Sequence, residues 1–362
     1  MKNAKNLIAR FLSLVVMLAF CACGKPSPAA PAPTETPAPT VIPAEEPAEE
    51  PAEEPTEKIG KTVLKCAYSQ SIETPGAQTL LWISDQLFDA TDGRYSVEVH
   101  PSEEFGDPSS SLESLIAGKI ELAVVTNSVI EYYVPDFAII AAPYMFDSSE
   151  HQERVFESDC LNELFAETGK HGFNVLCAYT ADPRNLFTRD GAITTPEELS
   201  GLRISVMGSQ TCVDMIEAMG AAGRIMAQSE VYDAIQNGGI DGVENSITAY
   251  VDRSQYAVAP YCSFTCHLMV PDELTINKAF FDGMSAEDRA ALADICRESQ
   301  PYFFKLAAQF RSDCEAKAAK MGVIFSQCDV AAFQKRCQSI ITEKAELSER
   351  TAAVYQSVLE LR

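Results

Sequence analysis

Arg184, Arg203 and Arg224 are three guanidiniums that could meet an anion, since the guanidinium fork matches carboxylate geometry. Each could equally stay a solvated side chain. Glu244 and Asp241 could pair as general acids, but no nucleophile or base accompanies them, and Asp241-Gly242 is ordinary turn chemistry. In "YCSFTCH", Cys262, Cys266 and His267 offer three soft ligands to a metal. A fourth is not evident and the segment reads as an apolar strand, so neither metal nor cofactor is expected. There is no Gly-rich phosphate loop, no G-x-S-x-G elbow and no H-E-x-x-H, and His100, His151, His171 and His267 lie far apart in the sequence. What remains is the chemistry of holding a ligand.

The elements that would position these residues alternate between strand and helix. "TVLKCAYS" reads as a strand, and "GAQTLLWISDQLFDAT" as a helix whose Ala77, Leu80, Leu81, Leu87 and Phe88 share one face, interrupted only by Ser84. "YSVEVHP" alternates with period two, as a strand does. "SSLESLIAGKIELAVVTNS" predicts a helix, a stop at Gly118 and a buried strand ending at Thr126-Asn127. That order predicts an α/β fold with a largely parallel sheet. Helix starts are marked at Thr195-Pro196-Glu197-Glu198 and at Ser285-Ala286-Glu287-Asp288. In "EVYDAIQNGGIDGVEN" the spacing predicts a short helix capped by the preceding Ser229, a left-handed turn at Gly238, and a strand that stops at Glu244-Asn245. Ligands of open α/β sheets bind outside the carboxyl ends of strands, where Thr126, Asn127 and Asn245 would stand.

Length and charge narrow the setting. A chain of 362 residues suits two domains, and a net charge of -24 excludes a nucleic-acid surface, which needs clustered Lys and Arg. Residues 1–23, "MKNAKNLIARFLSLVVMLAFCAC", place Lys2, Lys5 and Arg10 before an apolar run, the order of an export signal. The run is too short to span a membrane, and no later stretch is long enough. Cys23, straight after it, resembles a lipobox cysteine that becomes lipidated, with ordinary signal-peptide cleavage as the alternative. Residues 24–61, rich in Pro, Ala and Glu, read as a semi-rigid disordered tether. Of the 12 cysteines, those beyond the signal fall at irregular spacings inside apolar runs. Disulfides are possible after export, but a core this large does not need them, and an anaerobic source would leave the thiols reduced.

Three stretches together, "PRNLFTRDGAITTPEELSGLRISV", "SEVYDAIQNGGIDGVENSI" and "DELTINKAFFDGMSAEDRAALADICRES", resemble the extracytoplasmic solute receptors of tripartite ATP-independent periplasmic (TRAP) transporters, of the dicarboxylate-binding type. The likeness covers nearly all of residues 62–345. It implies a two-lobed, periplasmic-binding-protein-like α/β fold with crossing hinge strands and a long lobe-spanning helix. It assigns residues 62–181 with 271–310 to one lobe and 182–270 with 311–362 to the other. The function implied is capture of a small polar organic acid and its delivery to the membrane subunits of a TRAP permease, without catalysis. By the resemblance, Asn245 and Arg184 face the ligand from the second lobe, Ser69, Gln70, Thr126 and Asn127 from the first, and Gln228 stands where some members place an aromatic.

The departure from the family that matters most is at one position. Where the family's "G-L-K-I-R-V" strand carries an arginine for the ligand carboxylate, "GLRISV" has Ser205. Arg203, two residues earlier on the same strand face, is a candidate substitute, and Gly208 removes bulk nearby. A larger or less acidic ligand than usual fits that pair of changes. The expectation is therefore an exported, membrane-anchored, extracytoplasmic solute-binding protein for an anionic small molecule. The alternatives are a binder of a non-carboxylate ligand, a sensing module that feeds a membrane sensor, and an exported enzyme.

Overall fold

A computed structural model of the chain describes residues 58–180 and 182–362. The export signal, lipidation at Cys23 and nearly all of the tether lie outside the described residues. The chain forms β1 (Thr62–Ala67), α1 (Pro75–Ala90), β2 (Tyr95–His100), α2 (Pro108–Ile116), β3 (Leu122–Thr126), α3 (Asn127–Tyr133), α4 (Ser149–Glu157), α5 (Asn162–Glu167) and β4 (Phe173–Tyr179). There follow β5 (Arg184–Thr188), β6 (Arg203–Val206), α6 (Gln210–Met219), β7 (Ala222–Ile225), α7 (Gln228–Gln236), β8 (Gly242–Ser246), α8 (Ile247–Asp252) and β9 (Tyr261–Leu268). Then come β10 (Asp272–Asn277), α9 (Lys278–Gly283), α10 (Ala286–Lys320), β11 (Ile324–Gln327), α11 (Val330–Ala345) and α12 (Glu349–Glu360).

Local chemistry explains most of these elements. Ser84, the polar residue on the apolar face of α1, is a dock: it donates to the Val97 carbonyl at 3.1 Å and accepts from the Val97 amide at 2.8 Å. The buried face runs through Ala77, Leu80, Ile83 and Leu87, while Leu81, expected on it, is 42% exposed. Ser285 caps α10 by accepting from the Asp288 amide. The Thr195 box closes only a short 3-10 turn, Pro196–Leu199, in place of the expected helix. Helix α7 starts at Gln228, with Ala227 at the cap position and Glu230 returning to its amide, so Ser229 lies inside the first turn instead of capping it. Gly238 takes the expected left-handed turn, with φ +70.

Two sheets result, ordered β2-β1-β3-β10-β4 and β11-β9-β5-β8-β6-β7, one in each lobe of the α/β fold. Parallel pairs are present, but β10 and β5 run antiparallel to both of their neighbours, so each sheet is mixed. The reason is that β4 passes into β5, and β9 into β10, by short crossings between the sheets. The chain therefore leaves and re-enters each sheet at the same end, Asp272 opposite Tyr179 and Arg184 opposite Leu268, and the returning strand must run antiparallel to the departing one.

Helix α10 spans the two lobes: Leu292, Ile295 and Cys296 belong to a core cluster of the first, Cys314 and Ala318 to one of the second. The C-terminal segment corrects the expected boundary. Phe333 and Cys337 of α11 pack in the second lobe, but Ile341, Ala345, Val354 and Val358 pack with Phe137 and Leu161 of the first. Asp136 accepts from Arg350 at 2.7 Å and from Ser348 at 2.9 Å, which brings α12 back to the first lobe. All ten cysteines of the described residues are free thiols. Among the described residues no helix is long and apolar enough to cross a membrane.

Gly242 opens β8 against the Phe187 carbonyl and Thr188 of β5, and a Cβ there would overlap that backbone oxygen. Gly242→Ala is expected to destabilise the protein by about 1–3 kcal/mol. The check is a lowered urea midpoint at unchanged m-value.

Candidate ligand-binding site

Arg184 begins β5, in register with Ser246 of β8, and its guanidinium lies on the Glu244 carboxylate. Nε meets Oε2 at 2.5 Å, Nη2 meets Oε1 at 2.9 Å, and Nη2 also donates to the Glu244 carbonyl at 3.0 Å. Glu244 is fully buried and accepts in addition from the Met207 amide at 3.2 Å, at the end of β6. His267 of β9 brings Nε2 to within 3.4 Å of it, while Nδ1 faces the Thr265 hydroxyl at 2.8 Å. That network places the imidazole proton on Nε2, as donor to Glu244. Burial pushes the Glu244 carboxyl up, but the Arg184 charge and the His267 and Arg184 hydrogen bonds outweigh it and hold it below its ordinary value. Burial lowers His267, against the pull of Glu244, and keeps it neutral. Arg184 is thus neutralised inside the protein.

Arg203 is also engaged. Its guanidinium meets Asp241 at 2.9 and 2.8 Å and the Gly238 carbonyl at 2.9 Å, clamping the turn between α7 and β8. It opens β6, away from the carboxyl end of that strand.

Strand alternation turns Asn245 to the face of β8 opposite Glu244. Its Nδ2 donates to Gln255 Oε1 at 3.2 Å and to Gln228 Oε1 at 3.4 Å, and its Oδ1 accepts from the Ser246 amide at 3.0 Å. Ser205 pairs in register with Val243, so it shares that face of the sheet with Asn245. Ser205 Oγ and Gln255 Nε2 are buried and have no hydrogen-bond partner among the described residues. A side chain at Gly208 would meet nothing within 4 Å, so the space past the tip of β6 is open. Ser205, Gln228, Asn245 and Gln255 therefore form a neutral polar face at the carboxyl ends of β6 and β8 and the start of α7.

On the first lobe, Thr126 ends β3 and Asn127 opens α3. Asn127 donates to the Phe137 carbonyl at 3.1 Å, and its Oδ1 is buried without a partner among the described residues. Ser69 and Gln70 follow β1; Gln70 is exposed, and its carbonyl accepts from the Ser102 amide at 2.9 Å. Of the sequence-predicted residues, Asn245 and Gln228 meet directly, with Ser205 on their face, whereas Arg184 lies on the opposite face and Arg203 at the far end of its strand. Sequence reasoning missed Gln255, which sits on a short 3-10 turn after α8, outside any strand-end pattern.

It also missed Asp272, the first residue of β10, whose carboxyl burial pushes up to about 6 although the Arg184 charge pulls it down. The Cys262, Cys266 and His267 stretch holds no metal-like group: Cys262 enters the core, and Cys266 takes a left-handed conformation that aims its amide at Asn185 Oδ1, 3.1 Å away. Among the described residues no three such ligands converge.

A family model described as bacterial extracellular solute-binding protein, family 7 (DctP) matches residues 67–347. A solute-binding protein of Chromohalobacter salexigens is 28% identical over 268 residues, covering 74% of this chain and 80% of that protein. Among solved structures, a TRAP periplasmic solute-binding protein of Anaerococcus prevotii with bound D-glucuronate is 29% identical, with a TM-score of 0.77 over 83% of this chain and 98% of that one. Another, from Chromohalobacter salexigens and also with bound D-glucuronate, is 24% identical and matches in fold with a TM-score of 0.77, covering 83% of this chain and 100% of that one.

Because the folded Asp272 carboxyl titrates above the ordinary value near 3.9, its contribution to stability is present below pH ~4 and is lost as the pH rises through about 6. Asp272→Asn is expected to raise stability at pH 7 by about 1–2 kcal/mol and to leave it nearly unchanged at pH 4. Thermal melts of both proteins across that range check the sign.

Proposed function

The chain belongs to bacterial extracellular solute-binding protein family 7, whose members are non-enzymatic transport components, and from that premise we propose that it captures a polyhydroxylated acid of the uronate class between its two lobes. The observation that carries this reading is the neutral face of Ser205, Gln228, Asn245 and Gln255, with Ser205 Oγ and Gln255 Nε2 buried and unpaired among the described residues. Buried polar groups nearly always find partners. A carboxamide both donates and accepts, so the adjacent hydroxyls of a sugar acid can satisfy it in either sense. The amide oxygens of Gln228, Asn245 and Gln255 already accept within the face, so the free positions are the Gln255 Nε2 donor and the Ser205 hydroxyl, which a ligand carrying both a carboxylate and hydroxyls can match together. The D-glucuronate held by the Anaerococcus prevotii and Chromohalobacter salexigens proteins supports the same class.

In this reading Ser69, Gln70, Thr126 and Asn127 contact the ligand from the first lobe, and Asn127 Oδ1 accepts from one of its hydroxyls. A ligand that touches both lobes binds a closed arrangement better than an open one and so shifts the population toward it. Arg184 acts through the Glu244 carboxylate, holding the strand end that presents Asn245. The ligand is then passed to a TRAP permease, with the protein anchored at Cys23 and held off the membrane by the 24–61 tether.

Calorimetric titration of the exported chain with D-glucuronate, D-galacturonate, succinate and a neutral hexitol tests the reading. Uronates are expected to bind more tightly than succinate. Binding of the hexitol alone would remove the acid from the proposal. Asn245→Ala is expected to weaken uronate binding about tenfold without unfolding the protein, its melting temperature lowered by the loss of the hydrogen bonds to Gln228, Gln255 and the Ser246 amide. Unchanged affinity would take Asn245 out of the site.

A further inference from the structure

We infer that Arg224 supplies the cation for the ligand carboxylate, reaching across Ser205 from the neighbouring strand; this rests on the uronate reading above. The first ground is the pairing of the arginines. Arg184, Arg189 and Arg203 each hold a carboxylate, at 2.5, 2.8 and 2.8 Å. Arg224 holds none among the described residues, and its guanidinium meets only the adjacent Gly223 carbonyl, at 3.0 Å.

The second ground is placement. β6 and β7 run parallel with Ser205 in register with Arg224, and residues so paired project side by side from one face. A Cβ on Gly223 would meet Val213 of α6, so Gly223 faces α6 and Arg224 faces the other side, the side of Gln228 and Asn245. Ser205 is short, fully buried, and has a hydroxyl without a partner among the described residues. Gly208 leaves the tip of β6 open.

The chemistry completes the case. A guanidinium offers two parallel N–H groups to a carboxylate, and a hydroxyl beside it offers a third donor. The pair Ser205 and Arg224 thus makes an acid subsite next to the amides that read hydroxyls. An arginine on the edge strand of a sheet can also serve only to block edge pairing. In that role it would be indifferent to the charge of a ligand.

The test compares D-glucuronate with its neutral amide, D-glucuronamide, by calorimetric titration of wild-type protein and of Arg224→Gln. Wild type is expected to prefer the acid. Arg224→Gln is expected to lower D-glucuronate affinity about ten- to a hundredfold and to leave D-glucuronamide affinity as it was. Adding Ser205→Arg to that variant is expected to restore part of the acid preference, and melting temperatures confirm that each variant is folded. Acid affinity untouched in Arg224→Gln, or acid and amide weakened alike, overturns the role of Arg224 alone. Wild type that binds neither compound, or does not distinguish them, overturns the acid reading and the subsite with it.

Discussion

The Arg184–Glu244 ion pair joins β5 to β8 where the chain enters the second lobe, and the ends of four strands depend on it. Glu244 takes the Arg184 fork, the Met207 amide past β6 and the His267 imidazole of β9 on one buried carboxylate. Removing one partner of such a pair leaves a buried charge uncompensated, which typically costs about 3–5 kcal/mol. The pair also aims the neighbouring residue. With Glu244 fixed toward one face of β8, alternation fixes Asn245 toward the other, where Gln228 and Gln255 receive it. The polar face is therefore held in place by an interaction on the opposite side of the same strand.

This arrangement limits how an acid could be held. The protein carries a net charge of -24, so its long-range field opposes the approach of an anion. At physiological salt, charges beyond about 8 Å are largely screened. What decides is the set of donors within contact distance, and Arg184 and Arg203 already answer carboxylates of their own. A site of this kind discriminates by the match of individual hydrogen bonds, because an unmatched buried donor or acceptor loses about 1–3 kcal/mol.

How much of this was legible in the sequence depended on whether the deciding contact was local. Period-two alternation placed β2, a shared apolar face placed α1, the buried run after Gly118 placed β3, β1 read as a strand, and the left-handed turn at Gly238 followed from one residue type. The end of β8, expected at Glu244-Asn245, falls one residue later, at Ser246. The engagement of Arg184 by Glu244 was not legible, because those residues stand on two different strands and only the antiparallel pairing of β5 with β8 makes them neighbours. Gln255 gave no signal, since its role comes from a turn that folds back under β8. The stretch with Cys262, Cys266 and His267 reads as an apolar strand and not as a ligand set, and the structure adds what spacing could not show: Cys262 enters the core, and the left-handed turn at Cys266 aims its amide at Asn185. The return of α12 to the first lobe rests on Asp136, more than 200 residues away along the chain from Arg350.

The connections between the lobes fix where a relative motion could be absorbed. Before Pro301, helix α10 is tied to the first lobe: Ser299 meets the Tyr179 hydroxyl at 2.9 Å, and Gln300 donates to the Ala178 carbonyl at 2.9 Å. Beyond it, Arg311 donates to Ser149 of the first lobe at 2.9 Å and lies 3.7 Å from Asp182 in the crossing, which accepts from Thr248 of the second lobe at 2.8 Å. The apolar anchors of the second lobe, Cys314 and Ala318, follow only after that. Pro301 removes one hydrogen bond from the helix ladder and leaves a local point of bending. Closure over the proposed ligand would therefore be taken up in the helix between Arg311, still held by the first lobe, and Cys314, the first anchor of the second, and at the two strand crossings. The strand ends bearing Asn245 and Asn127 would then move as parts of rigid sheets, keeping their aim while the distance between them changes.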